Sequence, residues 1–283
     1  MNDGRVTGLW ELTRPGNAFA AGVLTFIGAF VAGIGDAAVA DPAVNVAAAV
    51  AATWFATAAG NAINDYFDRD IDAINDPDRP IPRGAVSPRG ALWFSAALFA
   101  GAMAATLTLP PLAIAIAAVN LLALIAYTEW FKGLPGVGNA VVACLGGSTF
   151  LFGGAAVGSV AESGVLFALA ALSTLTREII KDVEDMEGDR EEGLNTLPLA
   201  VGARPALVAG AVLLVAAVLA SPLPYLWTTF GVAYLAAVAP ADAVMLYAAY
   251  ESFDDPSAGQ SHLKYGMFLA AVAFVVGRAV TLL

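Results

Sequence analysis

Asn64, Asp68 and Asp72 stand at steps of four residues, and Asp182, Asp185 and Asp189 follow at steps of three and four. On a continuing α-helix a step of four turns about 400°, so each set would form a stripe on one face. Two facing stripes of oxygen donors suit Mg2+, which commonly bridges carboxylates to substrate phosphates. A cation there would offset charge on a departing pyrophosphate. The stripes belong to two acidic stretches, 65–78 and 178–192, which together hold 14 of the 24 Asp and Glu residues. Carboxylates at the ends of hydrophobic helices are costly to maintain and are read as functional. Solvated helix ends are the plain alternative, but that does not account for two runs with matched spacing and position. A helix–loop–helix calcium site does not fit, because the first run lacks the required glycine and closing glutamate.

Cations adjoin both runs. Asp78-Arg79-Pro80-Ile81-Pro82-Arg83-Gly84 reads as a stiff loop with two guanidinium groups, a form suited to bidentate phosphate contacts. Lys132 follows Tyr127 closely, Lys181 precedes Asp182, and Arg14 and Asn17 open the first hydrophobic stretch. Each cation alone could be a snorkelling or topology residue. Together they define a cationic, metal-bearing site. The candidate metal ligands are Asn64, Asp68, Asp72, Asp182, Asp185 and Asp189. Arg14, Asn17, Arg79, Arg83, Lys132 and Lys181 are the candidate substrate-binding residues, and Asp68, Asp185, Lys132 and Tyr127 the candidate catalytic ones.

The elements that must position these residues are hydrophobic. The chain is 59% hydrophobic and 13% charged, with a mean hydropathy of +0.75. An ordinary soluble domain carries about 25% charged residues. Stretches of about 20 apolar residues, enough to cross a bilayer, recur along the sequence. The expected fold is all-α and polytopic, with nine spans near 15–36, 43–66, 90–109, 111–131, 137–159, 163–183, 205–221, 224–249 and 264–282. Pro110-Pro111, Gly133-Leu134-Pro135-Gly136 and Ser221-Pro222-Leu223-Pro224 mark tight connections. Gly146-Gly147 and Gly153-Gly154 read as helix-packing positions. The N-terminal residues are polar and do not resemble a cleaved signal. A lone cysteine, Cys144, excludes an intramolecular disulfide and a cysteine-built metal site, and is expected as a buried, inert thiol. The single histidine, His262, excludes histidine-rich ligation and is expected in a loop. The net charge of −11 stems largely from the acidic runs, whose charge a bound metal would offset. Ten Arg against three Lys, with many Asp and Ala, resembles a salt-adapted composition.

With nine spans, one set of loops holds twelve of the 13 basic residues and the other only Arg278. That bias places the N-terminus and both acidic runs in the cytoplasm. The opposite side offers Asp36, Asp41 and Glu162, too little for a second site. Asp72 is followed by Pro82 and Gly84, and Asp189 by Pro198 and Gly202, at similar distances. The expected organisation is one domain over 1–283 with an internal repeat, about 43–131 and 163–249.

These motifs resemble the UbiA superfamily of intramembrane prenyltransferases over essentially the full chain. Asn64-xxx-Asp68-xxx-Asp72 is similar to the first aspartate motif of that family, and Asp185-xxx-Asp189 to the second. Arg79-Pro80-Ile81-Pro82-x-Gly84 is similar to the loop after the first motif. The resemblance implies nine transmembrane helices around a central cavity with cytosolic-side caps. Within the family, Arg177 to Asp189 resembles the archaeal digeranylgeranylglyceryl phosphate synthases. That implies Mg2+-dependent transfer of a geranylgeranyl group from geranylgeranyl diphosphate to the free hydroxyl of geranylgeranylglyceryl phosphate. It also implies an ionising substitution in the cell membrane; aromatic side chains such as Tyr66, Phe67 and Tyr127 could steady the allylic cation through their π faces, with interfacial packing as the plain alternative. No nucleic acid and no required protein partner are expected.

Three alternatives compete. An aromatic-acceptor prenyltransferase would share every metal residue and differ in its acceptor pocket. A CDP-alcohol phosphotransferase would need an Asp-Gly-x-x-Ala-Arg stretch, which this chain lacks. A transporter or divalent-ion channel would carry charge through mid-membrane depth, whereas the charges here are expected at one face.

Overall fold

A computed structural model describes residues 2–33 and 39–283; Asp36 lies outside them. Every regular element among the described residues is helical. The chain opens with α1 (Asn2–Leu12), α2 (Pro15–Ala32), α3 (Pro42–Phe67), α4 (Arg69–Asn75), α5 (Pro88–Thr106) and α6 (Pro111–Ala126). A π-helical turn, Tyr127–Phe131, extends α6. Next come α7 (Val137–Ala156), α8 (Ala161–Glu184), α9 (Met186–Glu191), α10 (Leu197–Val201) and α11 (Ala203–Ala220). The chain closes with α12 (Leu223–Trp227), α13 (Ala233–Glu251) and α14 (Pro256–Ala279). Among the described residues six segments are long and apolar enough to cross a membrane, and α6 is a shorter apolar helix.

Proline and capping residues set several boundaries. Pro15, Pro42, Pro88, Pro111 and Pro256 occupy first turns, where a missing N–H costs nothing. Asp41, Ser87 and Asp255 accept hydrogen bonds from the first-turn amides of α3, α5 and α14. The structure corrects three expectations and adds one helix that none of them covered. The stretch 224–249 is not one helix, because the chain leaves α12 at Thr228 and restarts only at Ala233. The added helix is α1, formed by the polar N-terminus, which has no strong apolar periodicity to reveal it. Cys144 is exposed on the surface of α7 rather than buried. His262 sits inside α14 with Nδ1 2.5 Å from a carboxylate oxygen of Glu251.

Close helix contacts build the core around a cavity. α2 lies against α7, α7 against α8, α8 against α11, and α13 along α14. A Cβ on Gly28 would fall 2.2 Å from the carbonyl oxygen of Phe150, and one on Gly153 would fall 1.9 Å from that of Thr25. Neither position tolerates a side chain, so glycine is what lets α2 and α7 touch backbone to backbone. Ile27, Phe150, Leu166, Phe230, Tyr234 and Phe274 join α2, α7, α8, α13 and α14 in one buried cluster. The Tyr234 hydroxyl donates to the carbonyl of Ser221 at 2.8 Å, so this buried phenol keeps a partner.

Candidate active site

Both aspartate motifs sit at the same kind of helix break. α3 ends at Phe67, Asp68 takes φ −84° and ψ 0°, and α4 begins at Arg69. α8 ends at Glu184, Asp185 takes φ −91° and ψ 5°, and α9 begins at Met186. The expectation of continuous helices through 64–72 and 182–189 is corrected accordingly. The break leaves most of the hydrogen-bond ladder intact. The Asp68 amide donates to the Asn64 carbonyl and the Asp72 amide to the Asp68 carbonyl, each at 2.8 Å. In the second motif the Asp185 amide donates to Lys181 and the Asp189 amide to Asp185, each at 2.9 Å. Each central aspartate is thus held at a bend, with its neighbours still one turn away on either side.

The first run is organised by a residue outside the predicted stripe. Asp65 is 4% exposed and accepts from Arg14 Nη2 at 2.6 Å and from Arg79 Nη1 at 3.4 Å. The same Arg79 nitrogen reaches Asp72 Oδ2 at 2.8 Å, while Nε reaches Asp76 at 3.3 Å. Asp65 and Asp72 lie on either side of the break, and the shared Arg79 nitrogen holds the two carboxylates together. Their seven-residue spacing is visible in the sequence beside the Asn64, Asp68 and Asp72 register. Arg14 holds a left-handed backbone (φ 45°), and its ion pair with Asp65 fixes the junction of α1 and α2. Asn61 reinforces the junction by donating to the carbonyl of Thr13 at 2.8 Å. Arg83 is engaged by Glu11 Oε2 and by the carbonyl of Asp78. Asn64 and Asp68 remain exposed.

The second run is tied to α7 and to the π-helical turn. Asn139, another residue missed at the sequence level, donates to Asp182 Oδ2 at 2.8 Å. Tyr127 packs over Gly138 and shares an electrostatic environment with Glu178, Asp182 and Asp189. Solvent reaches Asp185, yet the helix ends around it desolvate it. Desolvation raises its carboxyl above the ordinary value, Lys181 opposes this, and Glu184, Asp189 and Glu192 add to the rise. Lys132 and Lys181 are exposed at the ends of their helices, and Asn17 lines a cavity among the helices.

The donor set fits a divalent cation that completes its shell with substrate. Among the described residues no three His, Cys, Asp or Glu side chains are arranged to hold an ion unaided. Yet Asp189 Oδ2 is buried with no hydrogen-bond partner, an arrangement that favours a cationic ligand. Mg2+ usually takes one or two carboxylates with waters and substrate phosphates rather than a closed protein cage.

A cavity of about 350 Å3 opens among α2, α7, α8, α11, α13 and α14. Its wall is apolar at Leu24, Phe150 and Phe274 and polar at Asn17, Arg177 and Lys264. Asp242, near the middle of α13, also lines it and accepts from the Ser221 hydroxyl at 2.6 Å. Charge is therefore not confined to one face, contrary to the sequence expectation.

The sequence profile of the UbiA prenyltransferase family matches residues 21–272. The chain belongs to this family. The digeranylgeranylglyceryl phosphate synthase of Natronomonas pharaonis is 65% identical over 275 residues, covering 97% of this chain and 98% of that protein. The protein of that name from Halobacterium salinarum is 63% identical over 281 residues, covering 99% of this chain and 100% of that protein. A solved structure of a digeranylgeranylglyceryl phosphate synthase superposes with a TM-score of 0.81 at 35% identity, covering 97% and 98% of the two chains. A UbiA homolog from Archaeoglobus fulgidus bound to GPP and Mg2+ shares the fold at a TM-score of 0.68 and 20% identity, covering 98% and 100%. As a UbiA prenyltransferase with six apolar spanning segments, the protein is a multi-pass membrane enzyme.

Proposed function

We propose that the protein transfers a geranylgeranyl group from geranylgeranyl diphosphate to the free hydroxyl of geranylgeranylglyceryl phosphate, forming the second ether bond of archaeal membrane lipids. The observation that carries the chemistry is the matched break at Asp68 and Asp185, each flanked by acidic neighbours one turn away. The acceptor assignment rests on the 65% and 63% identity to proteins of that name. Asn64, Asp68 and Asp72 from one run and Asp182, Asp185 and Asp189 from the other would hold Mg2+. When bound, it supplies charge neutralisation to the leaving diphosphate.

The chain's own residues do the rest. Arg79 and Lys132 grip the diphosphate, with Arg83 and Lys181 beside them. Arg79 enters this role already oriented by Asp65, Asp72 and Asp76, so little side-chain freedom is lost on binding. Cleavage of the allylic C1–O bond leaves a delocalised cation, which the acceptor hydroxyl oxygen attacks while its proton passes to the diphosphate. Tyr127 and the exposed Phe67 offer π faces to that cation, whereas the face of Tyr66 already carries Arg69 at 5.0 Å.

We further propose nine membrane crossings, with α5, α6 and α14 joining the six apolar segments and both aspartate motifs at the cytoplasmic face. The charge asymmetry of the loops supports that orientation. Single cysteines at Ser87 and Glu162, made after Cys144 is replaced, should label from the cytoplasmic and outer sides respectively; the reverse would refute it. The decisive functional assay supplies purified protein with Mg2+, labelled geranylgeranyl diphosphate and a panel of glycerol-phosphate and aromatic acceptors. Prenylation of geranylgeranylglyceryl phosphate is expected. Efficient prenylation of 4-hydroxybenzoate with no activity on the glycerol phosphate would overturn the lipid assignment.

A further inference from the structure

A reaction between a diphosphate and a phosphate monoester needs two anion sites. The cations around the first acidic run are engaged: Arg14 by Asp65, Arg79 by Asp65, Asp72 and Asp76, and Arg83 by Glu11. The cavity wall differs. Lys264 lines it, and among the described residues its ammonium has no hydrogen-bond or ion-pair partner. Arg177 lines it from α8, with Nη2 donating to Gln260 at 2.9 Å and Nη1 to Glu178 at 3.2 Å. Its Nε is buried without a partner. Gln260 lies one turn before Lys264 on α14, so the contact between Arg177 and Gln260 brings the two cations to neighbouring levels of one cavity.

Depth fits a second phosphate. Arg177 precedes Asp185 by eight residues, about 12 Å along a helix axis. That interval accommodates a diphosphate at the aspartates, the carbon it leaves, the attacking hydroxyl and the glycerol that joins the hydroxyl to its phosphate. The remainder of the cavity suits the acceptor's hydrocarbon chain, since Leu24, Phe150, Leu169 and Phe274 line it. Asp242 sits deeper. A Cβ on Gly266 would touch Met245 and Ala241, which sets Asp242 about one turn below Lys264 in the antiparallel α13–α14 pair. Its carboxylate would repel a phosphate that slid inward, so the charge order along the cavity turns an amphipathic acceptor head-first toward the aspartate motifs.

We propose that Lys264 and Arg177 form the binding site for the phosphate monoester of the acceptor. This rests on the glycerol-phosphate reading above. The test compares wild type, Lys264→Gln and Lys264→Arg with geranylgeranylglyceryl phosphate and with the same monoether lacking its phosphate. Lys264 is exposed to the cavity, so these variants should fold, and thermal unfolding in detergent checks this. Loss of one charge-assisted contact should raise the acceptor KM of Lys264→Gln about 10- to 100-fold while the donor KM stays within about twofold. Preference for the phosphorylated over the dephosphorylated acceptor should fall by the same factor, and Lys264→Arg should restore most of it. Donor and acceptor KM rising together, or an unchanged preference, would overturn the assignment. Wild type that prenylates neither monoether would instead refute the proposed function, so the two failures are distinguishable.

Discussion

Replacing Asp65 by Asn tests whether charge pairing holds the first acidic run. Removing one partner of a fully buried ion pair costs about 3–5 kcal/mol. The side chains of Arg14 and Arg79 remain 38% and 31% exposed, so water recovers part of that loss. Arg79 also keeps Asp72 and Asp76, whereas among the described residues Arg14 has no second carboxylate within 4 Å. The expected cost is therefore about 2 kcal/mol, most of it through Arg14, below the range for a fully buried pair because water reaches both guanidinium groups. For a chain of this size that lowers Tm by about 4–8 °C. The discriminating experiment is a double-mutant cycle with Arg14→Asn, chosen because asparagine tolerates the left-handed backbone at that position. If the pair is the cause, the double variant should be no less stable than Asp65→Asn alone, giving a coupling of about 1–2 kcal/mol. Unfolding in detergent micelles, followed by circular dichroism, measures each corner. Strictly additive losses would refute the claim that these two side chains stabilise the junction through each other.

Asp68→Ala and Asp185→Ala should each abolish transfer while leaving Tm within about 2 °C, because both side chains are solvent-accessible and neither anchors a helix; near-normal turnover in either folded variant would remove the two-motif site. Mg2+ affinity should fall as pH is lowered, starting above the ordinary carboxylate range. The cation needs deprotonated Asp185, whose carboxyl is raised in the folded protein, so titration calorimetry should show proton release on binding that Asp185→Asn diminishes. The same shift has the opposite sign for folding: above the ordinary carboxylate pKa the charged form of Asp185 destabilises the fold, and that penalty disappears as pH falls through the raised value. Gly153→Ala should force α2 and α7 apart by about 1.5 Å, cost at least about 1–3 kcal/mol and raise the acceptor KM, since Phe150 lines the cavity from the same contact; unchanged stability would mean that the helices do not meet as described.

Local chemistry and periodicity determined much of this protein from the sequence alone. Runs of apolar residues long enough to span a bilayer required helices, because lipid cannot satisfy exposed backbone groups. Hydropathy placed the starts of α2, α3, α5 and α6 to within a few residues, and each of these helices carries a proline in its first turn. The spacing of Asn64, Asp68, Asp72, Asp182, Asp185 and Asp189 pointed to the candidate site. Only the tertiary structure decided how the charges pair. Arg14 and Asp65 lie 51 positions apart and Asn139 and Asp182 lie 43 apart, separations at which no helical periodicity can signal a contact. Nor could spacing reveal the break at Asp68 or Asp185, since a single residue near ψ 0° leaves the next hydrogen bonds in place. The cavity is the clearest case. Asn17, Arg177, Asp242 and Lys264 come from four helices, and no spacing in the sequence links them to one another. What they can bind follows from the depth at which packing sets each one, and that depends on glycine contacts such as Gly28 with Phe150 and Gly266 with Met245.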